Sequence, residues 1–301
     1  MAPVALSNYL NTIRQNLRLG KTAEREIIDE LSSHLEDKLR EFEENGLSED
    51  EATRACLRVM GSAKIVARQL YEAHSQGSWK QTLLAVMPHL LFALFFALSW
   101  WPGAVWLLLV ALTLVFGVAI YGWWHDRPTW LFSWLSYSML PVALAGLAIF
   151  YLPPGWKWAA VIVYIPFAAY IIYQITVNTI KIKRDWLYGT LMMLPVPIAA
   201  AWFFAIGYEV KLGLEYLRYF GPSIGLSFLI IAVSVGVFIR LRQRSLKIAL
   251  LLVSGLFTLS LVLYYAQGRL PLLAFIILIV IVLGLFITPA ILEHRIKHKQ
   301  P

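Results

Sequence analysis

The feature that most constrains this chain is an abrupt change of character near residue 80. Of its 301 residues, 59% are hydrophobic and 15% are charged. A soluble domain carries about 25% charged residues, so composition alone points to a membrane protein. The charge is also unevenly placed. Through residue 79 there are 10 Lys and Arg against 13 Asp and Glu; beyond it there are 16 against 5. An acidic head therefore precedes a basic, strongly apolar body. The fold class expected is all-α: a small cytosolic helical domain over 1–78, then a polytopic bundle of eight transmembrane helices over 79–301 with a short basic tail. The basic excess lies in the loops of the body, where it reads as a topology signal rather than as nucleic-acid binding.

Four helices can be read in the head. The first runs over about 4–19, with Leu6, Leu10, Ile13 and Leu17 on one face and Gly20 as its stop. The second follows Thr22 as N-cap and extends to about Glu44, with a stripe of Ile27, Leu31, Leu35, Leu39 and Phe42. Asn45-Gly46 stops it. Ser48 and Glu51 form a capping box that opens a third helix, with Ala52, Ala55, Cys56 and Met60 inward. Gly61 ends that helix, and Ser62 caps a fourth with Ile65, Val66 and Leu70 apolar. The single cysteine, Cys56, excludes an internal disulfide and reads as a small buried residue. The polar connection 75–81 is short, which predicts a head close to the membrane. No cleavable signal peptide is read before the first apolar run near Thr82.

The run Glu30-Leu-Ser-Ser-His34-Leu-Glu-Asp37-Lys, then Gly46-Leu-Ser-Glu-Asp-Glu-Ala52, then Gly61-Ser-Ala-Lys and Ala67-Arg-Gln-Leu70, resembles the HAAS domain, the HTH-associated α-helical signalling domain related to the permease prefix. The resemblance covers about a quarter of the chain. It implies a cytosolic helical module ahead of membrane segments in a bacterial protein, and a PadR-type transcription regulator as a partner. Glu30, His34, Asp37 and Glu41 are the candidate docking residues. Spacings of i−4 and i+3 put Glu30 and Asp37 on one helical face with His34. One imidazole and hard carboxylates are a poor zinc set, so no metal or other cofactor is expected. For His34 a bond or packing contact with a neighbouring helix and a place in a docking surface both stay open.

A bilayer core about 30 Å thick needs roughly 20 apolar residues per helix. Eight segments qualify: 82–100, 104–122, 130–152, 158–178, 186–206, 222–239, 246–266 and 270–292. Trp101-Pro-Gly103 reads as a tight hairpin between the first two. One set of connections holds 11 basic residues, among them Arg127, Lys181, Lys183, Arg184, Arg240, Arg242, Arg244 and Lys247; the other set holds four, Lys157, Lys211, Arg218 and Arg269. With eight spans the rich set shares a side with the head, so both termini are expected in the cytoplasm of a bacterial inner membrane. Lys181, Lys183, Arg184, Arg240, Arg242 and Arg244 then face anionic lipid at the inner leaflet. They also offer a surface to the acidic second helix of the head. Tryptophans from Trp100 to Trp186 mark predicted span ends, none follows Trp202, and no internal repeat is evident. The longest outward connection, 207–220, reads as an interfacial helix in which Lys211 and Glu215 pair at i, i+4. His125, Asp126 and Arg127 read as a solvated turn.

Ionisable groups inside spans usually mark transport or catalysis. Here His89, following Pro88, is the interior candidate. A bond to a backbone carbonyl of a neighbouring helix and proton or ligand handling are its two readings. Gln174, Thr176 and Asn178 suit interhelical hydrogen bonds. Pro88, Pro141, Pro166, Pro195 and Pro197 should kink spans and free carbonyls. Pro195 and Pro197 mark the main break, where a cavity shared with His89 would be the signature of a transporter. No phosphate loop, HExxH helix or nucleophile elbow occurs, so no enzyme is expected. The function expected is an integral membrane regulatory or sensor-like protein whose head docks a partner. A permease-like component with a regulatory prefix and an accessory subunit of a larger membrane complex are the alternatives.

Overall fold

The computed structural model describes residues 4–98, 105–125, 128–138, 153–183, 185–207 and 214–266, with isolated helical residues between 276 and 291. Among them the chain is helical, with no strand. The helices are α1 (Val4–Asn16), α2 (Lys21–Glu44), α3 (Glu49–Met60), α4 (Ala63–His74), α5 (Trp79–Ala97) and α6 (Val105–Trp124). A stretch over 131–138 is α7. There follow α8 (Pro154–Lys183), α9 (Trp186–Met193), α10 (Pro195–Gly207), α11 (Leu214–Arg240) and α12 (Arg244–Ala266). The chain divides into two compact units. One is Met1–Gln76 together with Ile182–Asp185; the other is Gly77–Lys181 with Trp186–Pro301.

In the head, α1 packs on α4 and α2 on α3. Three small apolar clusters hold them: Leu17, Leu19, Ile27 and Tyr71; Leu6, Leu35 and Cys56; Ile13, Ile28 and Ala67. Helix ends are set by local chemistry. At the end of α2, Leu47 N–H donates to Phe42 O and Gly46 N–H to Glu43 O, with Gly46 at φ +91°. This 6→1 and 5→2 pair is a Schellman closure, and its left-handed residue suits glycine. At the start of α3, the Glu51 carboxylate accepts from the Ser48 amide (3.1 Å) and hydroxyl (2.7 Å). Those two bonds hold the Glu51 carboxyl below the usual range.

Three details of the head differ from the sequence reading. The cap of α2 is Gly20, extended at ψ 153°, rather than Thr22. Helix α1 stops at Asn16, and Leu17 and Leu19 are buried from the connection instead. In α4 the buried residues are Ala67 and Tyr71, with the expected Val66 and Leu70 packed partly buried against the same clusters, while Ile65 is 59% exposed. The apolar residues of α4 are spread round the helix, and the small Ala67 is what allows close approach to α1.

Among the described residues, the second unit has five helices long and apolar enough to cross a membrane: Trp79–Ala97, Ile162–Thr179, Trp186–Ile206, Tyr219–Arg240 and Arg244–Tyr265. Leu109–Trp124 of α6 is a shorter apolar helix. Most of the expected third and eighth spans, the 101–103 hairpin, Pro141 and the Lys211 pairing lie outside the described residues.

Helices α5 and α11 pack along their lengths, antiparallel. Gly225 meets Ala93 and Ala97, Gly236 meets Thr82 and Val86, and Ile239 meets Gly77. A Cβ on Gly225 would lie 2.7 Å from the Ala93 carbonyl oxygen. Close packing at small residues replaces the hydrophobic drive that lipid removes. The 186–206 segment breaks at Leu194, between α9 and α10. Pro195 and Pro197 thus occupy the first turn of α10, where amides have no helical acceptor and their absence costs little.

Candidate functional site

Three groups of polar residues stand out, and each arises from the local structure that carries it. The first is the outer face of α2. Ile27, Ile28 and Leu35 turn inward, so Glu30, His34, Asp37 and Glu41 are left exposed. His34 Nε2 lies 3.9 Å from Glu30 Oε1, and Lys38 Nζ lies 2.7 Å from Glu41 Oε2. The His34 side chain is 72% exposed, which overturns the reading of it as packed against a neighbouring helix. The i, i+4 and i, i+3 spacings make these contacts intrahelical, so the ridge takes no part in closing the head. Among the described residues, no three His, Cys, Asp or Glu gather as a metal set would require.

Elsewhere in the same unit, Tyr71 Oη donates to Asp185 Oδ2 at 2.9 Å, and both residues are buried. The segment Ile182–Asp185 belongs to the head unit. The sequence reading missed both residues. Tyr71 falls outside the α4 stripe that the sequence suggests, and Asp185 sits beside Lys181, Lys183 and Arg184 in a turn scored for its bases. The available signal was Asp185 itself, the lone acid in that turn. The side chains of Lys181 and Lys183, and Arg184 as a whole, lie outside the described residues.

The second group is in the membrane unit, around His89. Pro88 has no N–H, which leaves the Leu84 carbonyl without its helical donor. The indole N–H of Trp134 takes that carbonyl at 2.9 Å, joining α7 to α5. One residue further on, His89 Nδ1 bonds to Tyr137 Oη at 2.7 Å. Its partner is therefore a side chain of α7, not the backbone carbonyl expected. His89 Nε2 is buried without a hydrogen-bond partner among the described residues. Phe92 stacks on Tyr137 with ring centroids 4.3 Å apart, and Phe228 of α11 closes on both. The pairs Leu84–Trp134 and His89–Tyr137 rise together, so α5 and α7 run parallel. Chemically, the arrangement fixes α5 and α7 in register through two polar bonds, and Phe228 brings α11 against them by ring contact alone.

Pro195 and Pro197 are buried in α10. His89 meets Tyr137 of α7 both by its hydrogen bond and ring to ring, so a cavity shared by His89 and these prolines is not assembled by those contacts. In α8, Thr179 Oγ1 donates to Met192 Sδ across to α9 at 3.7 Å. Thr176, expected to bond between helices, instead has its hydroxyl buried without a hydrogen-bond partner among the described residues.

The third group is at the end of α11. Gly77 N–H donates to Ile239 O at 2.9 Å, and Arg240 Nη1 donates to Gly77 O at 2.9 Å. The Arg240 guanidinium lies 4.4 Å from the Trp79 ring, and that of Arg244 lies 5.8 Å from the Trp186 ring. Arg242 is exposed in the turn between α11 and α12. Ser78 caps α5 through reciprocal bonds with Gln81. This box starts the helix at Trp79, three residues before the apolar run, and its signal in the sequence is the Ser-x-x-Gln spacing. No protein-family model, curated protein or solved structure matches this chain.

Proposed function

We propose that the protein is a multi-pass membrane regulator whose helical head docks a cytosolic protein through the ridge Glu30, His34, Asp37 and Glu41. The supporting observation is the division of labour on α2. Its inward face supplies Ile27, Ile28 and Leu35 to the core, and its outward ridge is exposed. An exposed acidic ridge on a rigid helix suits a partner with a basic surface, and electrostatic complementarity of this kind mainly sets specificity and association rate. The resemblance of the head to HAAS domains makes a PadR-type transcription regulator the partner proposed. The membrane body anchors the head, with eight spans and both termini cytoplasmic. The antiparallel packing of α5 and α11 and the parallel run of α5 and α7 are consistent with that count. In it, these helices are the first, sixth and third spans.

The test uses the full-length protein in nanodiscs and the purified regulator encoded nearest to it. Triple charge reversal at Glu30, Asp37 and Glu41 should weaken binding by about tenfold or more at low salt, since like charges then face each other. Binding that is unchanged by the reversal, or unaffected by salt, would sink this reading.

A further inference from the structure

We propose that Gly77, Trp79 and Arg240 form a strap that ties the linker entering α5 to the end of α11. Arg240 is its positioning residue. With the strap closed, α11 as well as α5 fixes where that linker lies. The inference does not depend on which partner the head binds.

The capping box at Ser78 is sufficient to start α5, and it leaves the direction of the preceding residue open. That direction is set from 163 positions away in sequence. The last four carbonyls of a helix have no intrahelical donor. In α11 one of these, Ile239 O, is taken by Gly77 N–H. The next residue, Arg240, reaches back to Gly77 O with a charged donor. Two consecutive residues of α11 therefore hold the amide and the carbonyl of one linker residue. Charge-assisted hydrogen bonds are the stronger kind. The guanidinium also lies over the Trp79 ring, a cation–π contact that adds to its hold.

Glycine is required where the two segments touch. A Cβ on Gly77 would fall 2.4 Å from Ile239 Cγ2 and 3.0 Å from Gln81 Oε1. Ile239 is β-branched and stiff at that carbon, so the linker rather than the side chain would have to yield. The strap continues the close approaches at Gly225 and Gly236. A shift of α11 along α5 would therefore be felt at Gly77. This gives Arg240 a role that neither lipid contact nor attraction to the acidic helix α2 requires.

Residue-resolved amide hydrogen exchange on the full-length protein in phosphatidylcholine nanodiscs tests this. The Gly77 amide should be protected in the wild type. In Arg240→Ala it should exchange about tenfold faster, the effect of losing one charge-assisted bond. Amides in the middle of α11 should stay unchanged. Gly77→Val should release the same amide from the other side, with the cap at Gln81 still protected. A Gly77 amide as protected in Arg240→Ala as in the wild type would overturn the strap. So would a position-77 amide still protected in Gly77→Val.

Discussion

The two units of this molecule hold their helices together by different means. In the head, polar residues end the helices and apolar residues join them. Ser48 and Glu51 open α3, Gly46 closes α2, and Leu6, Leu35 and Cys56 meet inside. In the membrane unit the roles are exchanged. Apolar residues are everywhere and select nothing, as the exposed faces of α6 and α8 with Trp106, Leu109, Phe167 and Tyr170 demonstrate. Partners are chosen there by glycines and by isolated polar bonds: Gly225 against Ala93, Trp134 on the Leu84 carbonyl, His89 on Tyr137. Water explains the contrast. It rewards apolar burial around the head and competes for its hydrogen bonds, whereas lipid does neither.

The largest effect should come from the head's core. Leu35→Ala removes a side chain buried between α2 and α3, and such changes cost about 2–5 kcal/mol. A unit this small has little stability to lose. Cys56 lies in the same cluster, and burial pushes its thiol above the usual range, so the native thiol is poorly reactive. As the only cysteine, it reports on the head within the whole protein. Leu35→Ala should turn slow thiol labelling at neutral pH into rapid labelling. Labelling as slow as in the wild type would show that the membrane unit, rather than this core, holds the head together.

Next in size is the close approach in the membrane unit. Gly225→Val puts side-chain atoms where the Ala93 carbonyl already lies, and overpacking of this kind costs about 1–3 kcal/mol. Thermal unfolding in detergent should shift downward, with Cys56 labelling unchanged at ordinary temperature. If Cys56 became reactive, the independence of the two sets of forces would be lost. A third change isolates a single polar bond. Trp134→Phe keeps an aromatic ring but returns the Leu84 carbonyl to an unpaired state, at about 1–3 kcal/mol. Adding Pro88→Ala, which restores the helical donor, should recover most of that loss; no recovery would mean the indole acts through packing alone.

The same contrast explains how much could be read in the sequence. The four head helices follow from their stripes and stops, because each boundary carries its own chemistry at Gly46, Ser48 and Gly61. The exceptions are Thr22, the end of α1 at Asn16 and Ile65, where a plausible local signal competed with packing and lost. In the body, hydropathy marked where helices lie and could not say which faces meet. Periodicity is silent when all faces are apolar. The pairing of Pro88 with Trp134 depends on an acceptor freed four residues earlier and a donor 50 residues later. Arg240 was legible as a base at a span end; its hold on Gly77 is a tertiary fact. Among the candidate docking residues, exposure of the Glu30–Glu41 ridge follows from its position off the stripe, on the flank of the helix. The bond of Tyr71 to Asp185 does not follow, because a lone acid among bases has several local partners on paper.

The smallest effect expected is also the one that tests whether head boundaries really rest on exposed polar bonds. Glu51 accepts from the Ser48 hydroxyl and amide, and those bonds favour its charged form and lower its pKa. A carboxyl whose folded pKa lies below its unfolded one stabilises the fold above the unfolded value. That contribution is lost as pH falls through the folded value. Glu51→Gln keeps a side chain that can accept from the same donors and removes the charge. Wild type should therefore protect the first-turn amides of α3 better than Glu51→Gln at neutral pH. The gap should close as the pH drops through and below the ordinary glutamate range. Amide exchange, corrected for its intrinsic pH dependence, measures both. A gap that stays constant into acid would mean that the start of α3 is held by packing of Ala52 and Cys56, and that the head resembles the membrane unit more than its composition suggests.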